Sequence, residues 1–109
     1  MEYTTNAPQG AAFLTSKMPG WQDRVALDRL DMQSATNCVL AQVHNMTYYD
    51  ALDLLFPNTN TAQARYDAAD SYGFDLPEWE KGTSVITRKG QWNQLRDEWV
   101  QLITELRSS

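Results

Sequence analysis

Between Ser34 and Asn45 the chain reads Ser-Ala-Thr-Asn-Cys-Val-Leu-Ala-Gln-Val-His-Asn, an apolar stretch with a helix-start residue at one end and a helix-stop residue at the other. Wrapped at about 100° per residue, Val39, Leu40 and Val43 cover one side of a helix and Cys38 and Ala41 much of the other. Little of the circumference is left for water, so such a helix belongs at the centre of a domain. The segment predicts a buried central helix over residues 35–44, capped by Ser34 and ended by Asn45, a residue that tolerates the left-handed conformation.

Shorter helices are expected around it. Residues 1–9 are polar, contain Pro8 and read as a flexible arm, with a single domain over residues 10–109. Gly10 to Met18 reads as a short helix stopped by Pro19-Gly20, and a single turn of helix is expected over Asp28–Leu30 with Asp28 as its cap. Thr47 caps a helix from Tyr48 to Leu55, with Tyr48, Leu52 and Leu55 on one face and Asp50 at the third position of a box-like start. Thr61 caps another that runs to about Tyr72, with Ala62, Tyr66 and Ala69 on its apolar stripe. Gly73-Phe74 then predicts a Schellman ending, the glycine left-handed and Phe74 packed back on the last turn. From Asp75 to Gly90 no helical period is visible, and Ser84-Val-Ile-Thr87 reads at most as an isolated extended segment. Gln91 to Arg107 is the longest helix, with Trp92, Leu95, Trp99, Leu102, Ile103 and Leu106 at steps of three and four. Arg96, Asp97, Gln101, Glu105 and Arg107 form its solvated face.

Charge and size narrow the function classes. Nine basic against fourteen acidic residues give a net charge of −5. Affinity for nucleic acid rests on neutralising phosphates, so an evenly acidic chain lacks the main term and no nucleic-acid partner is expected. The pair of helices at 35–44 and 48–55 has a helix-turn-helix outline, yet the second offers no basic or amide side chain to read bases. A lone cysteine forms no internal disulfide and suits a reducing compartment. With no secretory signal and no apolar run near the ~20 residues a bilayer requires, a cytoplasmic protein without a membrane partner is expected.

The residues that invite chemistry argue against it on spacing. Cys38 and His44 lie six positions apart, about 240° around a helix, so the imidazole does not reach the sulfur within that helix. One Cys and one His are too few for a metal site. Asp28/Asp31, Asp50/Asp53 and Asp67/Asp70 have helical spacing on otherwise exposed faces and read as solvated surface. Gln42 projects beside Cys38 and is expected to pin an irregular segment by hydrogen bonds to its backbone. No catalytic, cofactor-binding or metal-binding residue is assigned.

Taken together, Cys38-Val-Leu-Ala-Gln-Val-His-Asn45, Pro19-Gly-Trp21, Leu27-Asp-Arg-Leu30, Gly73-Phe74 and Trp99-x-x-Leu-Ile resemble a group of small proteins from actinobacteria and their phages. Those proteins tend to read Cys-Val-Leu-Gly-Gln and then an aromatic and a glycine; here Ala41 and His44-Asn45 stand in those places. The resemblance implies no activity and no cofactor. The expected fold is all-α, one compact domain of about five short helices with a buried central helix and a longer C-terminal one. The expected function is a small non-enzymatic protein-interaction module, in its specific form a phage accessory protein in the host cytoplasm that modulates a host protein. Trp79, Val85 and Ile86 are its expected partner-binding residues, because a structureless loop of this length calls for a reason. The first alternative is a small-molecule-binding or enzymatic domain with a pocket near Cys38, Gln42, His44 and Tyr48; the second is an acidic structural or DNA-mimic protein. The sequence identifies no individual partner, host or phage, and fixes no oligomeric state.

Overall fold

A computed structural model describes residues 6–76, 82 and 84–108. Five α-helices make up the described fold: α1 (Ala7–Lys17), α2 (Val39–His44), α3 (Tyr48–Leu55), α4 (Ala62–Ser71) and α5 (Val85–Arg107), with 3-10 turns at Trp21–Arg24 and Leu27–Arg29. The chain is a small all-α domain, with no strand among the described residues.

Helix α1 begins three residues before Gly10 because Pro8 stands in its first turn. An amide there has no partner within the helix, so the missing N–H of proline costs nothing. Ala7 and Leu14 are fully buried. Residues 7–9 are therefore helical, and Asn6 ties this end to the end of α4 by donating Nδ2 to the Asp70 carbonyl at 3.0 Å. Gly10 marks a close approach: an added Cβ would stand 2.0 Å from the Tyr72 carbonyl oxygen.

The central helix is shorter than its apolar pattern predicts. It begins at Val39, and the extended Cys38 is its cap residue. Ser34 caps a tight turn instead, its hydroxyl accepting from the amides of Thr36 and Asn37 at 3.2 and 3.1 Å. Ser, Thr and Asn at 34, 36 and 37 offer the backbone local partners that compete with a first helical turn. The far end is as expected: Asn45 is left-handed at φ 54°, and Met46 donates to the Ala41 carbonyl at 3.2 Å. Asp28 caps nothing, since the Leu27–Arg29 turn starts from an extended Ala26 without a side-chain cap.

Helices α3 and α4 follow their sequence signals. Thr47 accepts from the Asp50 amide and Thr61 from the Ala64 amide. At the end of α4, Gly73 adopts φ 72°, its amide donates to Asp70 at 3.0 Å and that of Phe74 to Ala69 at 2.9 Å. This is the predicted Schellman ending. On α4 only Ala69 is buried, whereas Ala62 and Tyr66 are exposed, so the stripe expected there is narrow.

Helix α5 starts at Val85 rather than Gln91, so residues 85–90 are helical and Ser84–Thr87 is no extended segment. Ser84 accepts from the Thr87 amide at 3.0 Å as a regular N-cap, and Gly90 lies inside the helix. Leu95, Trp99 and Ile103 form its buried face. Trp99 stacks on Phe74 at 5.6 Å and meets Trp21 edge-on at 5.8 Å. Its indole N–H donates to the Gly73 carbonyl at 2.7 Å, which satisfies the polar atom of a fully buried ring. Two arginines expected on the solvated face have structural work. Arg96 donates to the Leu30 carbonyl at 2.9 Å, and Arg107 to the Gln22 carbonyl and to Val25. They hold the irregular segment after α1 against α5.

Candidate functional site

The most chemically loaded part of the fold lies where α4 ends. The left-handed turn at Gly73 sends Phe74 into the core and brings the next residue, Asp75, under the start of α3. Tyr48 is held there from two sides. Thr47 caps α3, and the Tyr48 amide donates to the Ala35 carbonyl at 2.7 Å. The Tyr48 hydroxyl donates to Asp75 Oδ2 at 2.5 Å, and the Leu76 amide donates to Oδ1 at 2.8 Å.

Burial sets the electrostatics. It pushes the Asp75 carboxyl above the ordinary carboxylate range, with the Tyr48 hydroxyl, the Leu76 N–H and the positive charge of Arg88 pulling the other way. The Tyr48 phenol is pushed far up, first by burial and then by the Asp75 charge. Asp70 is raised by burial and then by the charges of Asp75 and Asp67, against a smaller pull from Arg88. Asp75 lines two clefts. One, of about 160 Å³, is bounded by Ser34, Tyr48, Tyr49, Phe74 and Trp92. The other, of about 230 Å³, is bounded by Tyr66, Asp67, Asp70, Leu76 and Arg88. Arg88 also stands over the Trp92 ring, 5.8 Å from its centroid. Such a place can hold a proton or a positive charge. Burial keeps the Tyr48 phenol protonated.

The residues weighed in the sequence fall elsewhere. Cys38 is 2 % exposed, and burial raises its thiol pKa. Gln42 is half-buried and pins the irregular segment as expected: it accepts from the Ala26 N–H at 2.7 Å and donates to the Asn37 carbonyl at 2.8 Å. It also borders a shallow polar groove with Arg24, Arg29 and Asn45. The His44 pKa is lowered by burial and by Arg24, and among the described residues its buried Nε2 has no hydrogen-bond partner. No hydrogen bond joins His44 to Cys38 among the described residues. Of that group only Tyr48 reaches the Asp75 cleft.

Trp79 lies outside the described residues. Val85 and Ile86 occupy the first turn of α5 and are 72 % and 84 % exposed. Among the described residues no group of three or more His, Cys, Asp or Glu is placed to hold a metal ion, and no helix is long and apolar enough to cross a membrane. No protein family, curated protein or solved structure matches this chain.

Proposed function

We propose that this chain is a small non-enzymatic interaction domain that engages a protein partner through the start of α5. The observation that carries this reading is the exposure of Val85 and Ile86, two adjacent branched aliphatic side chains at 72 % and 84 %. Val85 lies seven residues before Trp92 and eighteen before Ile103, so at about 100° per residue it continues the same helix face. That face is buried at Trp99 and Ile103 and open at Val85. The helix thus carries its apolar side past the edge of its own core. Water disfavours such a surface by roughly 25 cal/mol per Å², a cost that a docked partner removes.

The net charge of −5 on the chain disfavours nucleic acid as the partner and leaves a protein as the expected class. The resemblance to actinobacterial and phage proteins makes a bacterial host protein the expected partner class, with Trp79 as the expected aromatic anchor beside the two aliphatics. The test is affinity capture from bacterial lysate with quantitative mass spectrometry, comparing the wild type with the Val85→Asp/Ile86→Asp double variant and with Trp79→Ala. A partner enriched by the wild type and lost with the double variant, at an unchanged melting temperature, is the expected outcome. Equal capture by both would place the interaction elsewhere.

A further inference from the structure

The 160 Å³ cleft stands apart from the α5 start and has a chemistry of its own. Among the described residues four aromatic rings wall it, those of Tyr48, Tyr49, Phe74 and Trp92, Asp75 is its one carboxylate, and no lysine, arginine or histidine lines it. Aromatic faces are electron-rich and attract cations, the more so where water is thinned. Of the roughly four acceptor positions on the Asp75 carboxylate, Tyr48 and Leu76 use two, so both oxygens retain capacity. The chain already applies this combination to itself from the other side. The Arg88 guanidinium rests over the Trp92 ring, 5.8 Å from its centroid, and lines the neighbouring cleft together with Asp75.

We propose that this cleft binds an organic cation of the alkylammonium class, with its charge at Asp75 and its carbon groups against Tyr48, Tyr49 and Trp92. Size fits this class, since an open cleft of about 160 Å³ has room for a compact cation such as tetramethylammonium. A nucleotide exceeds that volume, and an anion would meet Asp75 on a chain of net charge −5. A free quaternary ammonium and the lysine side chain of a protein present the same chemistry to the cleft. The inference does not depend on the role given to Val85 and Ile86.

Amide and indole NMR spectra of the intact protein test it, titrated with tetramethylammonium chloride and separately with Nα-acetyl-lysine amide, against sodium chloride at matched ionic strength. The expected result is a saturable shift of the Trp92 indole N–H and the Asp75 amide, with a dissociation constant of about 1–10 mM for a single charge pair and one aromatic wall. Asp75→Asn should weaken it by roughly tenfold. Tyr49→Ala, on a side chain that is 57 % exposed, should weaken it several-fold with the fold intact, and it decides the matter if Asp75→Asn does not fold. Saturation by tetramethylammonium alone assigns the site to free quaternary ammonium ions, and saturation by the lysine derivative alone assigns it to side chains. Shifts that track sodium chloride for both probes, or unchanged affinity in the folded variants, would overturn the proposal.

Discussion

Gly10 lies inside α1, where glycine costs a helix about 1 kcal/mol relative to alanine. On propensity alone, Gly10→Ala stabilises the protein. Packing reverses the sign. A Cβ at this position would be 2.0 Å from the Tyr72 carbonyl oxygen and 2.9 Å from two atoms of the Trp99 ring. Relieving the first contact requires the end of α4 to retreat by about 1 Å or more, given ordinary non-bonded separations. That end is not free to move, because Gly73 and Phe74 close it by hydrogen bonds and Trp99 donates to the Gly73 carbonyl. Overpacking costs about 1–3 kcal/mol, and with backbone and ring both displaced the upper end applies; after the propensity gain, about 2 kcal/mol of net destabilisation remains. With an unfolding entropy of about 2.1 cal/mol/K per residue, that lowers Tm by about 9 °C in a chain of 109 residues. Thermal unfolding followed by far-UV circular dichroism measures it. Gly90→Ala is the matched control: Gly90 is exposed within α5, and its added Cβ meets no atom within 4 Å. It should raise stability by about 0.5–1 kcal/mol. A Gly10→Ala protein that melts at or above the wild type would refute the close approach between α1 and the end of α4.

Asp75 and Asp70 should leave a signature in acid. Burial raises both carboxyls above their ordinary value, so the folded chain holds these protons more tightly than the unfolded one. Their stabilising contribution is full below the unfolded pKa and is lost as pH rises through the folded pKa. Between about pH 4 and pH 6 the urea midpoint of Asp75→Asn should therefore fall less, or rise more, than that of the wild type; parallel pH profiles would contradict the assignment. Cys38 should react slowly with a thiol reagent in the native protein and quickly in denaturant. Cys38→Asp should cost about 3 kcal/mol or more, as expected for an unpaired charge in the core, and rapid native labelling would show that the sulfur is accessible.

Signals that depend on a single local geometry were legible in the sequence. Thr47 and Thr61 cap as predicted because a side-chain oxygen three residues from an orphan amide needs no tertiary context to reach it, and Asn45 and Gly73 end their helices because they tolerate the left-handed backbone. Errors arose where two local solutions competed. Ser34 is a sound helix cap, but it is equally able to close the 34–37 turn, and the extended Cys38 delays the helix to Val39. Ser84 reads as part of an extended segment because Val85 and Ile86 follow it, although Thr87 stands where a capped helix needs its third residue. The first turn of α5 also lies beyond the core, so no burial there ties it to the rest of the helix.

The Asp75 cleft was not legible, and carboxylate spacing shows why. Asp67, Asp70 and Asp75 look alike in the sequence, and the rule that paired acids on a helix face are solvated holds for Asp67, which is exposed. It fails for Asp70, which is half-buried, and Asp75 is not on the helix at all. Between Asp70 and Asp75 the chain passes through the left-handed Gly73, and that one turn converts a surface pattern into an inward path. The hydroxyl that receives Asp75 comes from a residue 27 positions earlier, held by a backbone bond to Ala35 that only the folded turn creates. A periodic reading assigns each acid by its neighbours along one helix, whereas the ionisation of Asp75 depends on three elements meeting. The predictable part was the turn. Given a Schellman ending at Gly73-Phe74, the residue after the buried phenylalanine leaves the surface of α4 with its charge, and a partner such as Tyr48 has to be waiting for it.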